Sequence, residues 1–341
     1  MDKTLINVEV NLQVEMMNII LYSSKYNNIC KNIIGFAPIV DEKNSYTEEI
    51  DLYFKKFTDH QIYAQLDKMI EKGFFLGRPM ELSLSLNSAN YLESKYELSE
   101  QSVCMSGGET YIEKFIKLFN DFRKDTEFDK FFHKNQSYYC NSISFMNNCL
   151  NRYSFVDELN NFFGVSNIIY NFIVSNLCKG NFGIHFKLKD KIHVYSIYTC
   201  YGLDINDESN DFDKDQLCNT IFHELSHPVI NPLSQKYIKL INSYNNVYSY
   251  LKQYKDDKLA GYSDWEECVN EHIIRAIAIY MLKKHNKKEY VNNRIEYEYD
   301  LGYRYIKSII KKLEYYENNR GIYNTLDDFY PDLIAVFSEK I

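Results

Sequence analysis

The chain has 341 residues, of which 45% are hydrophobic and 25% charged, proportions that exclude collagen-like, low-complexity and wholly disordered classes. Lys+Arg 39 against Asp+Glu 47 gives a net charge of −8, opposite to the basic footprint that phosphate backbones attract, so nucleic acid is not expected as a partner. Only 12 glycines and 5 prolines favour long helices over a turn-rich sandwich, because tight turns usually want one or the other.

The opening MDKTLINVEVNLQVEMM lacks a basic stretch followed by an apolar one, and no run approaches 18 apolar residues. The expectation is therefore no membrane span and a cytoplasmic chain, secreted if a leader has been removed. Eight cysteines are scattered without a CxxC pair, which excludes a ribbon-type zinc site and reads as reduced thiols.

In chain order, apolar residues recur at helical spacing over 14–21, 50–57, 112–122 and 155–163. Thr110 and Glu113 have the form of a capping box for the third of these. Polar loops, 41–45 and 105–109, lie between them, and Gly107 and Gly108 mark a turn, since no GK[ST] follows to make a phosphate loop. After Gly180 the texture changes. NFGIHFKL and KIHVYSIYT are β-branched and aromatic, and read as two strands of a hairpin or sheet edge, one of which could take up an extended substrate as a further strand. His185 and His193 within them read as structural or surface residues.

An acidic loop, 203–215, leads into DQLCNTIFHELSHPVINPL. A tyrosine-rich helix over 237–254, an apolar helix over 264–284 and a closing helix over 301–317 are expected beyond it. The fold class read from this order is α+β and predominantly helical. Residues 1–180 form a mainly helical N-terminal region and 181–341 the region that carries the chemistry, or the two make one continuous unit.

HELSH, His223 to His227, is the motif that carries chemistry. Residues four apart lie one above the other on a helix, so His223 and His227 can share one metal ion, with Glu224 beside the open coordination position. At about 100° per residue, Thr220, His223, Glu224 and His227 fall in one arc about 100° wide, opposite Cys218, Ile221, Phe222 and Leu225. Asp213 or Asp215 is expected to cap the start of this helix, and Pro228 to end or kink it. Chance gives about 0.014 HExxH matches in a chain of this composition, so the motif alone is suggestive and its context decides.

Two histidines need a third protein ligand, with the fourth position left for water. The continuation HExxHxxGxxH is absent. In SDWEECVNEHIIRAIAIYMLKK, where Ser263 and Glu266 read as a capping box, only Asn270, Glu271, His272 and Arg275 interrupt the apolar run from Val269 to Leu282. A buried carboxylate is costly unless it is paired or bound to a metal, which makes Glu271 the first candidate, ahead of His272 and Glu267. Its carboxylate should then lie within about 5 Å of both imidazoles. The structural alternative is an i,i+4 ion pair with Arg275.

HELSHPVINPL followed by W..CVNEHIIRA, with an N-terminal VEVNLQVEMMNIILY and a later GYRYIKSIIKKLEYYENN, resembles a bacterial family of unknown-function domains regarded as zincin-type metallopeptidases of the gluzincin kind. The similarity runs over most of the chain and is specific at HELSHP and NEHIIRA. It implies a zincin-like catalytic core with a small sheet, an HExxH helix and a helical C-terminal part. It also implies one Zn²⁺ per chain held by His223, His227 and Glu271, with Glu224 as catalytic glutamate, and a peptide or protein substrate. Thermolysin-like gluzincins have an aspartate four residues after the glutamate ligand, where this chain has Arg275, so the support of the zinc ligands must differ. Tyr262, Tyr303, Tyr305 and Arg275 are candidates by type for stabilising a transition-state oxyanion or supporting the site. The competing expectations are a catalytically silent, zinc-containing helical interaction protein and a metal-free helical protein with a chance HELSH.

Overall fold

A computed structural model describes residues 6–199, 211–251 and 264–339. They are predominantly helical, with one small mixed sheet, an α+β composition. Two compact units interleave along the chain: one is built from Ile6–Asn148 and Ile169–Asn206, the other chiefly from Cys149–Ile168 and Asp207–Ile341. Among the described residues no helix is long and apolar enough to cross a membrane.

The first unit holds β1 (Val8–Glu9), α1 (Leu12–Tyr22), α2 (Tyr26–Ile34), α3 (Ser45–Phe54), α4 (Gln61–Ile70) and α5 (Gly77–Ser85). These are followed by α6 (Glu100–Met105), α7 (Glu109–Asp125), α8 (Phe128–Lys134) and α9 (Gln136–Leu150), then β2 (Ile168–Ser175), β3 (Phe182–Leu188) and β4 (Lys191–Thr199). Strand order is β1-β2-β4-β3; β1 runs parallel to β2, and the hairpin pairs Phe182 with Ile197 through to Leu188 with Lys191. The hairpin expected from the β-branched and aromatic residues is present, with β3 at the sheet edge and β4 inside. The helix at 112–122 begins earlier than the Thr110–Glu113 capping box allows: Gly108, at φ 93°, occupies the N-cap of α7, a conformation that suits glycine and not threonine.

Helix α1 is buried from Gln13 through Leu21, more completely than an amphipathic surface helix would be, so its polar side chains must find partners inside. Asn18 Nδ2 donates to Ser175 Oγ at 3.0 Å. Glu15, 1% exposed, accepts from Tyr46 Oη, which lies 2.7 Å from Tyr139 Oη.

The second unit holds α10 (Phe155–Phe163), α11 (Asp211–Lys236), α12 (Ile238–Asn242) and α13 (Asn246–Leu251), then α14 (Trp265–Lys284), α15 (Lys288–Asp300), α16 (Ile306–Asn318) and α17 (Leu326–Ile334). Helix α11 packs along α14 and against α10, and α14 in turn against α15 and α16. Neither expected terminus of the HELSH helix is found. Its start is Asp211, so Asp215 is not a cap but an interior, buried residue, 3.2 Å from Lys287 Nζ and 3.5 Å from Arg152 Nη1. The helix also runs through Pro228 and Pro232 to Lys236. Each proline removes one amide donor, a local loss that packing of the buried Val229 and Ile230 outweighs.

The tyrosine-rich segment makes two short helices, α12 and α13, rather than one, and 301–305 is a turn with Gly302 at φ 103° ahead of α16. The expected capping residue Ser263 lies outside the described residues; Asp264 caps α14, accepting from Glu267 N at 2.9 Å. The seven described cysteines are all free.

Burial raises the Glu15 carboxyl from its ordinary 4.5 to about 7, against the opposing hydrogen bond from Tyr46. The folded state therefore holds a proton that the unfolded chain has released, and stability falls as pH rises from about 4.5 to about 7. Glu15→Gln should remove that slope, read as the urea midpoint at several pH values from 4.5 to 8; an unchanged slope would show that Glu15 ionises freely in the fold.

Candidate metal centre

The facing expected of α11 is realised. Cys218, Ile221, Phe222 and Leu225 are fully buried, and Phe222 packs at 4.6 Å between ring centroids against Phe155 of α10. Thr220, His223, Glu224 and His227 stay partly open on the other face. Helix α14 obeys the complementary rule: from Cys268 to Leu282 every residue is buried except Glu271 and Arg275. The HELSH face and this two-residue opening meet where the helices pack.

There the donor atoms converge. His223 Nε2 lies 3.2 Å from His227 Nε2. Glu271 Oε1 is 3.6 Å from His227 Nε2, and Oε2 is 3.8 Å from His223 Nε2. Ligands on a tetrahedral ion at about 2.1 Å stand about 3.4 Å apart, close to the imidazole separation, while the two carboxylate oxygens of Glu271 each face one imidazole. The donor set of two imidazoles and one carboxylate, together within 4.8 Å, can hold a metal ion.

The electrostatics suit a cation. Burial pushes His223 down to about 3, despite the Glu271 charge beside it, so the imidazole is neutral and its lone pair available, the form that ligates metals. Burial opposes ionisation of Glu271, but neighbouring positive charge, at neutral pH that of the Arg275 guanidinium, holds the carboxyl below its ordinary range. His227 Nδ1 faces Asn231 Oδ1 at 3.4 Å, the kind of partner that fixes the tautomer and orientation of a ligating ring. Burial raises the Glu224 carboxyl above its usual range, with the Glu271 charge adding to that rise against His227 and Arg275.

The other sequence candidates separate clearly. His272 points away from the donors: Nδ1 is 2.8 Å from Cys268 O, and its ring sits among Tyr303, Tyr305 and Phe337. Cys268 thus shares the face of His272, not that of Glu271. Glu267 is exposed in the first turn. Arg275 donates from Nε to Glu271 Oε2 at 3.0 Å, so the ion pair weighed as an alternative to ligation exists beside the histidine contacts, on the oxygen that also faces His223. Tyr303 lies under Arg275, 4.3 Å from ring centroid to guanidinium carbon, and Tyr305 Oη donates to Glu339 O at 3.1 Å. Tyr262 lies outside the described residues.

The chain matches, over residues 6–336, the family described as a domain of unknown function, DUF4932. It belongs to that family. No curated protein and no solved structure matches it. The HELSH helix and Glu271 both lie inside the stretch shared with DUF4932.

Sequence reasoning missed Glu298, Arg294 and Gln216 around Arg275, and Asn231 beside His227. Tyr290, Arg294 and Glu298 do recur at i, i+4 and i+8 along α15. Their polarity concealed an inward face.

If the triad holds metal, His223→Ala, His227→Ala and Glu271→Ala should each lose most of the divalent cation that protein purified without chelator carries at about one per chain, because two remaining ligands leave the site open to water. Elemental analysis of the four proteins checks this, and metal retained in all three variants would place the cation elsewhere.

Proposed function

We propose that this DUF4932 chain is a zinc-dependent metallopeptidase of the gluzincin kind, cleaving peptide bonds of a peptide or protein substrate. The observation that carries the reading is the convergence of His223, His227 and Glu271, whose donor atoms lie within 4.8 Å of one another, with Glu224 on the same arc of α11. Nitrogen and oxygen donors in this number suit Zn²⁺, and three protein ligands rather than four are the mark of a catalytic rather than a structural zinc site. In zincin-like terms, α11 is the HExxH helix and α14 the downstream helix that supplies the glutamate.

Zinc, when bound, supplies Lewis acidity toward a carbonyl oxygen and lowers the pKa of water toward about 7. Glu224 does the proton work. Its carboxylate takes a proton from the attacking water and returns it to the leaving amine, and burial that raises its pKa moves it toward the pH at which it must both accept and release. His223 stays neutral, and both imidazoles are carried by one helix. Glu271 brings one negative charge to the site, and Arg275 holds its second oxygen in place. Arg275 is engaged by two carboxylates, so its part here is support of the site wall.

Glu224 on the histidine face also weighs against a catalytically silent zinc scaffold, which has no use for a general base at that position. Glu224→Gln should retain zinc and fold yet lose peptide hydrolysis by about 10²–10⁴-fold, because the amide keeps the shape and cannot accept the proton. Zinc content and cleavage of a denatured-protein or mixed-peptide substrate measure the two halves. A Gln variant as active as the wild type would remove Glu224 from the reaction, and zinc-loaded wild type without hydrolysis would favour the scaffold.

A further inference from the structure

Beside the triad lies a second cluster of charge that the proposed hydrolysis does not use. Glu298, on α15, has its side chain 1% exposed, a placement that costs several kcal/mol unless the charge is met. Two arginines meet it. Arg275 Nη1 lies 3.1 and 3.0 Å from the two Glu298 oxygens, and Arg294 Nη2 pairs with Oε1. Arg294 Nη1 in turn donates to Gln216 Oε1 at 3.1 Å, an atom that also accepts from Tyr290 Oη at 2.8 Å. Gln216 stands on α11, two turns before His223. The links close a ring: α11 through Gln216, α15 through Arg294 and Glu298, α14 through Arg275 and Glu271, and back to α11 at His223 and His227.

We infer that Glu298 is a positioning residue for the metal site: acting through Arg275, it keeps the Glu271 carboxylate turned edge-on to the two histidines. The inference rests on the metal reading given above. A guanidinium is a planar fork that prefers to take both oxygens of a carboxylate at once. Without Glu298 the guanidinium would be free to swing toward Glu271 and claim Oε1 as well as Oε2, competing with a cation for the carboxylate. Glu298 opposes that movement by holding Nη1 with both of its own oxygens, which leaves Nε on Glu271 Oε2. The Tyr303 ring under the guanidinium holds its plane. Glu298 also neutralises a positive charge that would otherwise oppose a cation close by.

Cobalt(II) binding to metal-depleted full-length protein tests this, with affinity read by competition against a chelator and ligand geometry by the visible absorption bands. Glu298→Gln should weaken cobalt binding about 10–100-fold and alter the bands, and Glu298→Asp, which keeps the charge, should recover part of the loss. Leu313→Ala, a core change on α16, serves as the control: it should lower the melting temperature without altering affinity or bands. Arg275→Lys keeps the charge without the fork, should weaken binding similarly, and carries the test if Glu298→Gln does not fold. In the double variant the losses should not add. Wild-type affinity in Glu298→Gln overturns the inference alone, as does an equal loss in Leu313→Ala, which would make Glu298 merely structural. A wild type that binds no cobalt overturns it together with the metal reading.

Discussion

The structure of the second unit turns on a carboxylate placed where apolar packing should be. Helix α14 is buried on every side from Cys268 to Leu282 except at Glu271 and Arg275, and an ionised carboxylate there is stable only if opposite charge or strong donors surround it. That requirement fixes what must lie opposite. It selects the polar arc of α11 over its apolar one, sets the rotation of each helix about its own axis, and draws the arginines of α14 and α15 into the same small volume. Hydrophobic burial brings α11 and α14 together, while the charge at Glu271 decides the register in which they meet.

The pair of imidazole nitrogens 3.2 Å apart adds a second condition. Two imidazoles cannot both present lone pairs to each other at that distance without a proton or a cation between them. Burial keeps His223 neutral, and Asn231 engages the far side of His227. What the helices assemble is thus a concentrated set of acceptors directed at one point, with the balancing positive charge, Arg275, held to one side by its links to Glu271 and Glu298.

How much of this the sequence disclosed follows from which interactions leave a periodic trace. The two faces of α11 and the inward turn of α14 were legible because apolar residues recur at helical spacing, and the β3–β4 hairpin because its residues are β-branched and aromatic. Glu271 was legible as a charge stranded in an apolar run. Helix α15 was not: its inward face is Tyr290, Arg294 and Glu298, so the usual contrast between apolar and polar sides is missing although the helix is packed. Strand β1, with two residues, is too short to carry a pattern, and β2 exists by pairing with strands distant in sequence. The ends of α11 were misread because acidic residues and prolines were given their usual local meaning, whereas ion pairs to Arg152 and Lys287 and burial on either side of Pro228 override it.

The interleaving of the two units bears on how the chain folds as it is made. Helix α10 belongs with residues beyond 207, yet it is synthesised before the last three strands of the other unit. Its apolar side, Phe155 and Phe162, ends against Phe222, Tyr280 and Tyr316. At about 5–20 residues per second, the ribosome delivers Tyr316 roughly 8–30 s after α10 leaves it. Once residue 206 has been added the first unit can be complete while α10 still waits with its aromatic face uncovered, so the nascent chain carries a built-in period of exposure to chaperones and to its own neighbours that ends only when the C-terminal helices arrive.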